Sequence, residues 1–209
     1  MIIAVDGPAA SGKGTIARAL AAHYGLPHLD TGLLYRAVGV NVARAGGNPD
    51  DPEDGLAGCT FSLDLLDDPE LRSEASGVLA SRVSVHPGVR DALFRKQRDF
   101  ATQPGGAVLD GRDIGTVIAP DADAKLFVVA SAQARADRRF REMQSRGMEA
   151  DLSALLAEIE ARDARDMGRA NAPLVQAEDA ALLDTSDLGI DAAVQQAISL
   201  VDAQLQRSR

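Results

Sequence analysis

The stretch from Ile2 to Thr15, IIAVDGPAASGKGT, constrains the fold of this chain more than any other part. It opens with four apolar residues, Ile2 to Val5, without polar alternation. A short run of that kind fits a strand buried on both faces. The residues Gly7, Pro8, Ala9, Ala10, Ser11, Gly12, Lys13, Gly14 and Thr15 follow, and then the helix-like Ile16 to Ala22. Strand, glycine-bounded loop, lysine and helix in this order form the context of a phosphate-binding loop. Glycines tolerate positive φ, so the backbone can wrap an anion and point successive N–H groups at it. The helix adds its own N–H groups and a positive dipole end. Lys13 supplies a compact cation for the β and γ phosphates. Gly14 stands where the pattern usually has a hydroxyl, so Thr15 is the expected hydroxyl ligand of Mg²⁺.

The rest of the chain alternates strands and helices. Short runs at Pro27–Leu29, Ala107–Asp110, Leu126–Ala130 and Ala181–Asp184 read as strands. Helical patterns cover about 33–45, 71–85, 89–101, 132–146, 151–169 and 190–206. Such alternation implies a parallel sheet covered on both faces, with ligands beyond the carboxyl ends of the strands. Residues 50–70 are acidic, and only Phe61 to Leu66 has a strand-like apolar pattern there.

Composition narrows the function classes. With 209 residues the chain can bury a sizeable core in one domain. A net charge of −9 argues against a general nucleic-acid binder. No apolar run approaches the ~20 residues that span a bilayer. Met1 leads directly into the first strand, so no cleavable signal is expected, and the lone Cys59 fits a reducing cytoplasm. His23, His28 and His86 show no metal-ligand spacing.

Three further constellations carry chemistry. Asp110 ends an apolar strand, the usual place for a carboxylate that orders a Mg²⁺ water, and Arg112 offers a planar fork to a phosphate. Asp30-Thr31-Gly32 precedes a helix carrying Arg36 in its second turn; Asp30 or Thr31 also serves as an N-cap. Arg162, Asp166 and Arg169 continue the apolar stripe of Leu152, Leu155, Leu156 and Ile159, which fits either a helix projecting over a cleft or a solvated helix end. Residues 131–169 hold eight arginines and eight acidic residues, a neutral segment in an acidic chain that suits a lid over polyphosphate.

Taken in order, these motifs resemble those of bacterial cytidylate (CMP) kinases over nearly the whole length. The resemblance rests on Asp6-Gly7-Pro8 with Gly12-Lys13-Gly14-Thr15, Asp30 to Arg36, Asp110 to Thr116, Arg162 to Asp166, Arg169, and Ala172-Pro173-Leu174. It implies an α/β P-loop NTPase fold: a three-layer αβα arrangement with a parallel five-stranded core sheet, a monophosphate-binding insert (about 46–103) and a helical lid (about 140–170). It implies ATP as phosphoryl donor with Mg²⁺, held by Thr15 and Asp110, and CMP and dCMP as acceptors. Lys13, Arg112 and Arg162 would act in catalysis. Arg36 and Arg112 would hold the acceptor phosphate, and Ser81, Arg90 and Asp113 would read cytosine, with Thr31 and Arg169 nearby. Arg162 and Asp166 would contact ribose and phosphate from the lid. Longer members carry a three-stranded sheet in the insert; this chain has only Leu63 to Glu70 there, so that sheet is expected to be reduced or absent. The expected protein is a cytoplasmic monomer without nucleic-acid polymer or membrane partners. A P-loop kinase for UMP or shikimate, or an ATP-binding switch, are the alternatives.

Overall fold

The computed structural model describes residues 1–207. Five strands, β1 (Ile2–Asp6), β2 (His28–Asp30), β3 (Ala107–Gly111), β4 (Ala124–Val129) and β5 (Ala181–Asp184), form one sheet in the order β2-β3-β1-β4-β5. β1 pairs in parallel with β3 and β4, and β4 in parallel with β5. The fold is the parallel α/β class that the alternation predicts. β1 is central, which explains its unbroken apolar run: Ile3, Ala4 and Val5 are fully buried.

The chain divides into two compact units, Met1–Leu29 with Ala101–Arg209, and Asp30–Phe100. In the first, helices α1 (Lys13–Tyr24) and α8 (Ile190–Arg207) cover the sheet. Ile16, Ala17, Leu20 and Ala21 of α1 and Ala193, Ala197 and Val201 of α8 repeat at helical spacing and pack with Ile3, Val5, Val108, Leu126 and Val128. Gly25 stops α1 in the left-handed region, its N–H closing on Ala21 O. Helices α6 (Ala132–Ser145) and α7 (Leu152–Met167) start at the side-chain caps Ser131 and Asp151.

The second unit holds helices α2 (Thr31–Arg44), α3 (Pro52–Gly58), α4 (Glu74–Val83) and most of α5 (Pro87–Ala101). Asp30 is the N-cap of α2, accepting from Gly32 N–H at 2.9 Å, so Thr31 is free to be buried in the first turn. Pro87 opens α5, so the gap between the helical patterns at 71–85 and 89–101 is a helix start.

The strand-like pattern at Phe61 to Leu66 does not become a strand. Leu63–Asp67 and Pro69–Arg72 are 3-10 turns, opened by Ser62 accepting from Asp64 N–H and Asp68 accepting from Glu70 N–H. Residues 46–103 contain no strand. The physical reason is local: Ser and Asp side chains offer backbone N–H groups a turn partner, and no neighbouring strand offers a ladder. The apolar residues of the segment are still used, because Phe61, Leu65 and Leu66 pack around Ala37, Val40 and Leu71. α3 is also absent from the sequence reading, although Asp51 and Pro52 are a legible N-cap and first turn.

α2 and α4 meet most closely at Gly39, where an added Cβ would lie 2.7 Å from Leu79 Cβ and 2.9 Å from its carbonyl carbon. Gly39→Ala should therefore destabilise the protein by about 1–3 kcal/mol through overpacking, despite the better helix propensity of alanine. Urea denaturation checks this; a variant as stable as the wild type would show that the two helices separate without cost.

Candidate active site

The loop between β1 and α1 has the backbone that an anion site needs. Gly7 (φ +154°) passes so close to β4 that a Cβ would sit 2.0 Å from Val128 O. Gly12 (φ +88°) and Ala10 (φ 59°) also have positive φ, and Ala10 is one of two non-glycine residues there among those described. Two carbonyls of the loop are taken by donors: Arg135 Nη1 donates to Ala9 O at 3.2 Å and Thr185 Oγ1 to Ser11 O at 2.9 Å. Lys13 and Gly14 begin α1, and Thr15 is exposed. Asp110, at the end of β3, is 2% exposed. Its Oδ1 is 2.7 Å from His28 Nε2, while Oδ2 lies 3.7 Å from the Cβ position of Gly14. The Thr15 hydroxyl and the Asp110 carboxylate are hard oxygen donors beside the same turn, a set that suits Mg²⁺ completed by phosphate and water.

Past Asp110 the chain turns through Gly111 to Ile114. Arg112 Nε donates to Asp166 Oδ2 at 2.8 Å, and Arg169 pairs with Asp166 Oδ1. Asp166 is 1% exposed. Burial alone would raise its pKa, but the charges of Arg112, Arg169 and Arg162 hold it below the usual carboxylate range. The α7 stripe thus does not end in a solvated helix end: Asp166 collects Arg112, Arg162 and Arg169. Arg165 is exposed. Asp113 is buried, and Asp6 accepts from the backbone N–H groups of Ile114 and Gly115 just beyond it.

In the second unit, Arg36 Nη1 donates to Leu71 O, Ser73 O and Ser76 Oγ, each at 2.8 Å, which fixes one end of its guanidinium. Arg90 is buried, lies 5.6 Å over the Tyr35 ring and donates to Ser84 O at 3.3 Å. Ser81 is 2% exposed, and its carbonyl accepts from Ser84 Oγ at 3.1 Å. Ser81 and Arg90 are thereby linked through Ser84. Thr31 and Arg36 lie on α2 of the same unit.

Several residues at these places escaped the sequence reading. His28 supports Asp110, a role that ligand spacing does not reveal. Arg135 is 3% exposed and joins Ala9 O, Ala130 O and the Asp163 carboxylate, so it ties the phosphate loop to α7. Arg138 donates to Thr185 Oγ1 at 3.1 Å and also to Thr185 O. Beside it a cavity of about 610 Å³ opens along Gly12, Thr15, Arg138, Arg141, Ser186 and Leu188. The one available signal was the arginine density of residues 131–146.

The Asp166 cluster sets a pH dependence. A carboxyl whose folded pKa is depressed contributes stability that is present above its unfolded value, 3.8, and lost as pH falls through the folded one. Asp166→Asn should cost about 3–5 kcal/mol at neutral pH, because it leaves partly buried arginines without their buried carboxylate. The gap to wild type should shrink only below pH 3.8. Denaturant titrations from pH 7 downward read this; a gap constant to the acid end would remove Asp166 from the charge cluster.

The cytidylate kinase family profile matches residues 3–203. A cytidylate kinase of Xanthobacter autotrophicus is 57% identical over 203 residues, covering 97% of this chain and 98% of its own. One from Caulobacter sp. strain K31 is 56% identical over 202 residues, covering 96% and 94%. Among solved structures, an uncharacterized protein from Eubacterium ventriosum aligns with a TM-score of 0.56 at 16% identity, covering 97% of this chain and 99% of that one, a likeness of fold alone. A family match across nearly the whole chain, with relatives this similar, places it: the chain belongs to the cytidylate kinase family.

Proposed function

We propose that the chain transfers the γ-phosphoryl group of ATP to CMP, giving ADP and CDP, with dCMP as a second acceptor. The observation that carries this is a phosphate loop with Lys13 at a helix start, in a unit whose Asp166 gathers Arg112, Arg162 and Arg169. A monophosphate oxygen of CMP attacks the γ-phosphorus, and the bond to the β–γ bridging oxygen breaks. The monophosphate is already largely ionised near neutral pH, so no protein base is needed. Positioning and charge neutralisation are what the residues supply.

Gly7 to Thr15 would wrap the donor phosphates, with Lys13 on the β and γ groups. Thr15 and, through water, Asp110 would hold Mg²⁺, which neutralises charge on the transferring phosphate. The cavity beside Arg138 and Ser186 fits the donor base. Arg36 and Arg112 would hold the acceptor phosphate, with Arg162 on the transferring group. Ser81, Arg90 and Asp113 would read cytosine, with Thr31 and Arg169 nearby, and Asp166 would take the ribose. The unit Asp30–Phe100 would be the monophosphate-binding lobe, and residues of about 140–170 the lid. No helix among the described residues is long and apolar enough to cross a membrane. The reading extends to a monomeric enzyme of the cytoplasm.

A coupled assay of ADP release with CMP, dCMP, UMP, AMP, GMP and shikimate tests the reaction. CMP and dCMP should dominate, and Lys13→Met should cut turnover by roughly two to three orders of magnitude. Turnover with UMP or shikimate alone would favour another P-loop kinase, and ATP binding without stoichiometric ADP and CDP a switch.

Base choice has its own test. Cytosine offers an amine donor where uracil has O4, so a carboxylate there favours CMP. A site built for specific polar groups can discriminate by up to ~10⁴-fold. We expect CMP to exceed UMP by about tenfold or more in kcat/KM, and Asp113→Asn to narrow the ratio by harming CMP more. Equal loss for both substrates would instead assign Asp113 to orienting a neighbouring arginine.

A further inference from the structure

Asp6 touches neither nucleotide in the reading above. It closes β1, is 4% exposed, and uses both carboxylate oxygens on the backbone of another segment: Oδ1 accepts from Ile114 N–H at 2.8 Å and Oδ2 from Gly115 N–H at 2.7 Å. Those two donors directly follow Arg112 and Asp113. In the β1–β3 ladder the same residue stands opposite Gly111. Asp6 thus grips the Arg112–Asp113 turn from both sides, by its strand register before the turn and by its carboxylate after it.

Asp113 has φ −143° and ψ 24°, outside the regular regions. The five-residue helical turn Ile114–Ile118 that follows satisfies later N–H groups internally: Ile118 N–H reaches Asp113 O at 3.1 Å and Ala119 N–H reaches Ile114 O at 2.7 Å. Its first two N–H groups depend on Asp6. The approach is tight, because a Cβ on Gly115 would lie 3.4 Å from Asp6 Oδ2 and 3.1 Å from Lys125 Cδ. Two N–H donors meeting two oxygens require a carboxylate, since an amide would turn an NH₂ group against one of them. Burial pushes the Asp6 carboxyl up to about 7, while the two N–H donors favour its charged form.

We propose that Asp6 is a positioning residue for the acceptor: its carboxylate fixes the Arg112–Asp113 turn against the start of the phosphate loop and so sets CMP affinity and base choice. The proposal rests on the acceptor roles given to Arg112 and Asp113. A residue serving only the phosphate loop, one position before Gly7, would act on the donor instead, and a purely structural one on stability alone.

The test is Asp6→Asn, measured by steady-state kinetics with CMP and UMP at saturating ATP, and by calorimetric titration with Mg·ADP. KM for CMP should rise about tenfold or more and the CMP to UMP ratio in kcat/KM should narrow, with kcat changed by less than about threefold. Affinity for Mg·ADP should stay within about twofold of wild type. Unchanged KM for CMP in the folded variant, or equal weakening of CMP and Mg·ADP, overturns the proposal. If Asp6→Asn does not fold, Asp6→Ala, which sets no amide against the turn, is held to the same outcomes. A wild-type protein inactive on CMP would overturn the functional reading itself, which is told apart by the wild-type assay.

Discussion

The arrangement of this molecule depends on the approach of the Gly7 backbone to the carbonyl of Val128. Any side chain there would bring a Cβ to 2.0 Å from that oxygen. The contact lets the chain turn into the loop directly after β1 and beside the end of β4. Its carbonyls are then turned onto donors, Ala9 O onto Arg135 and Ser11 O onto Thr185. Carbonyl oxygens repel phosphate, so committing them to donors is as much a part of anion binding as the N–H groups. The donors come from α6 and from the segment after β5, which explains why those elements frame the cavity beside the loop.

A second dependence runs along α7. Asp163 and Asp166 are three residues apart and therefore neighbours on the helix surface. Asp163 pairs with Arg135 of α6, and Asp166 with Arg112 beyond β3. One helix face is thereby bound both to the element that holds the phosphate loop and to the turn that carries Arg112. Pairs with this little exposure differ from the exposed Arg44–Asp68 and Arg44–Glu70 contacts of the second unit, whose worth is small in water.

Most of the fold was legible because its determinants are local. The apolar run before Gly7 and the cap at Asp30 each place an element within a few residues. Phe61 to Leu66 was misleading because alternation states which residues are buried, not in what geometry. The side chains of Ser62 and Asp68 decided for turns. Residue types in the site were legible where a motif concentrates them, as at Gly7–Thr15 and Asp110–Asp113. His28, Arg135 and Asp6 were not, because what they do lies in their partners: 82 residues away for His28, 126 for Arg135 and 108 for Asp6. Spacing along the chain carries no record of such pairings.

The same geometry explains how three arginines can be gathered at one place in the fold. Arg112, Arg162 and Arg169 bring three positive charges around one carboxylate, Asp166, in a place almost closed to water. Without that carboxylate their mutual repulsion would push the side chains outward. With it, they are held at a cost already met in folding, and the cluster still carries excess positive charge. Arg112 shows how this works in detail. Its Nε is committed to Asp166 and its Nη1 leans on Gly111 O at 3.3 Å, so the guanidinium plane is set by the protein rather than by the ligand. A planar fork fixed in this way presents its remaining edge in one orientation, whatever approaches it.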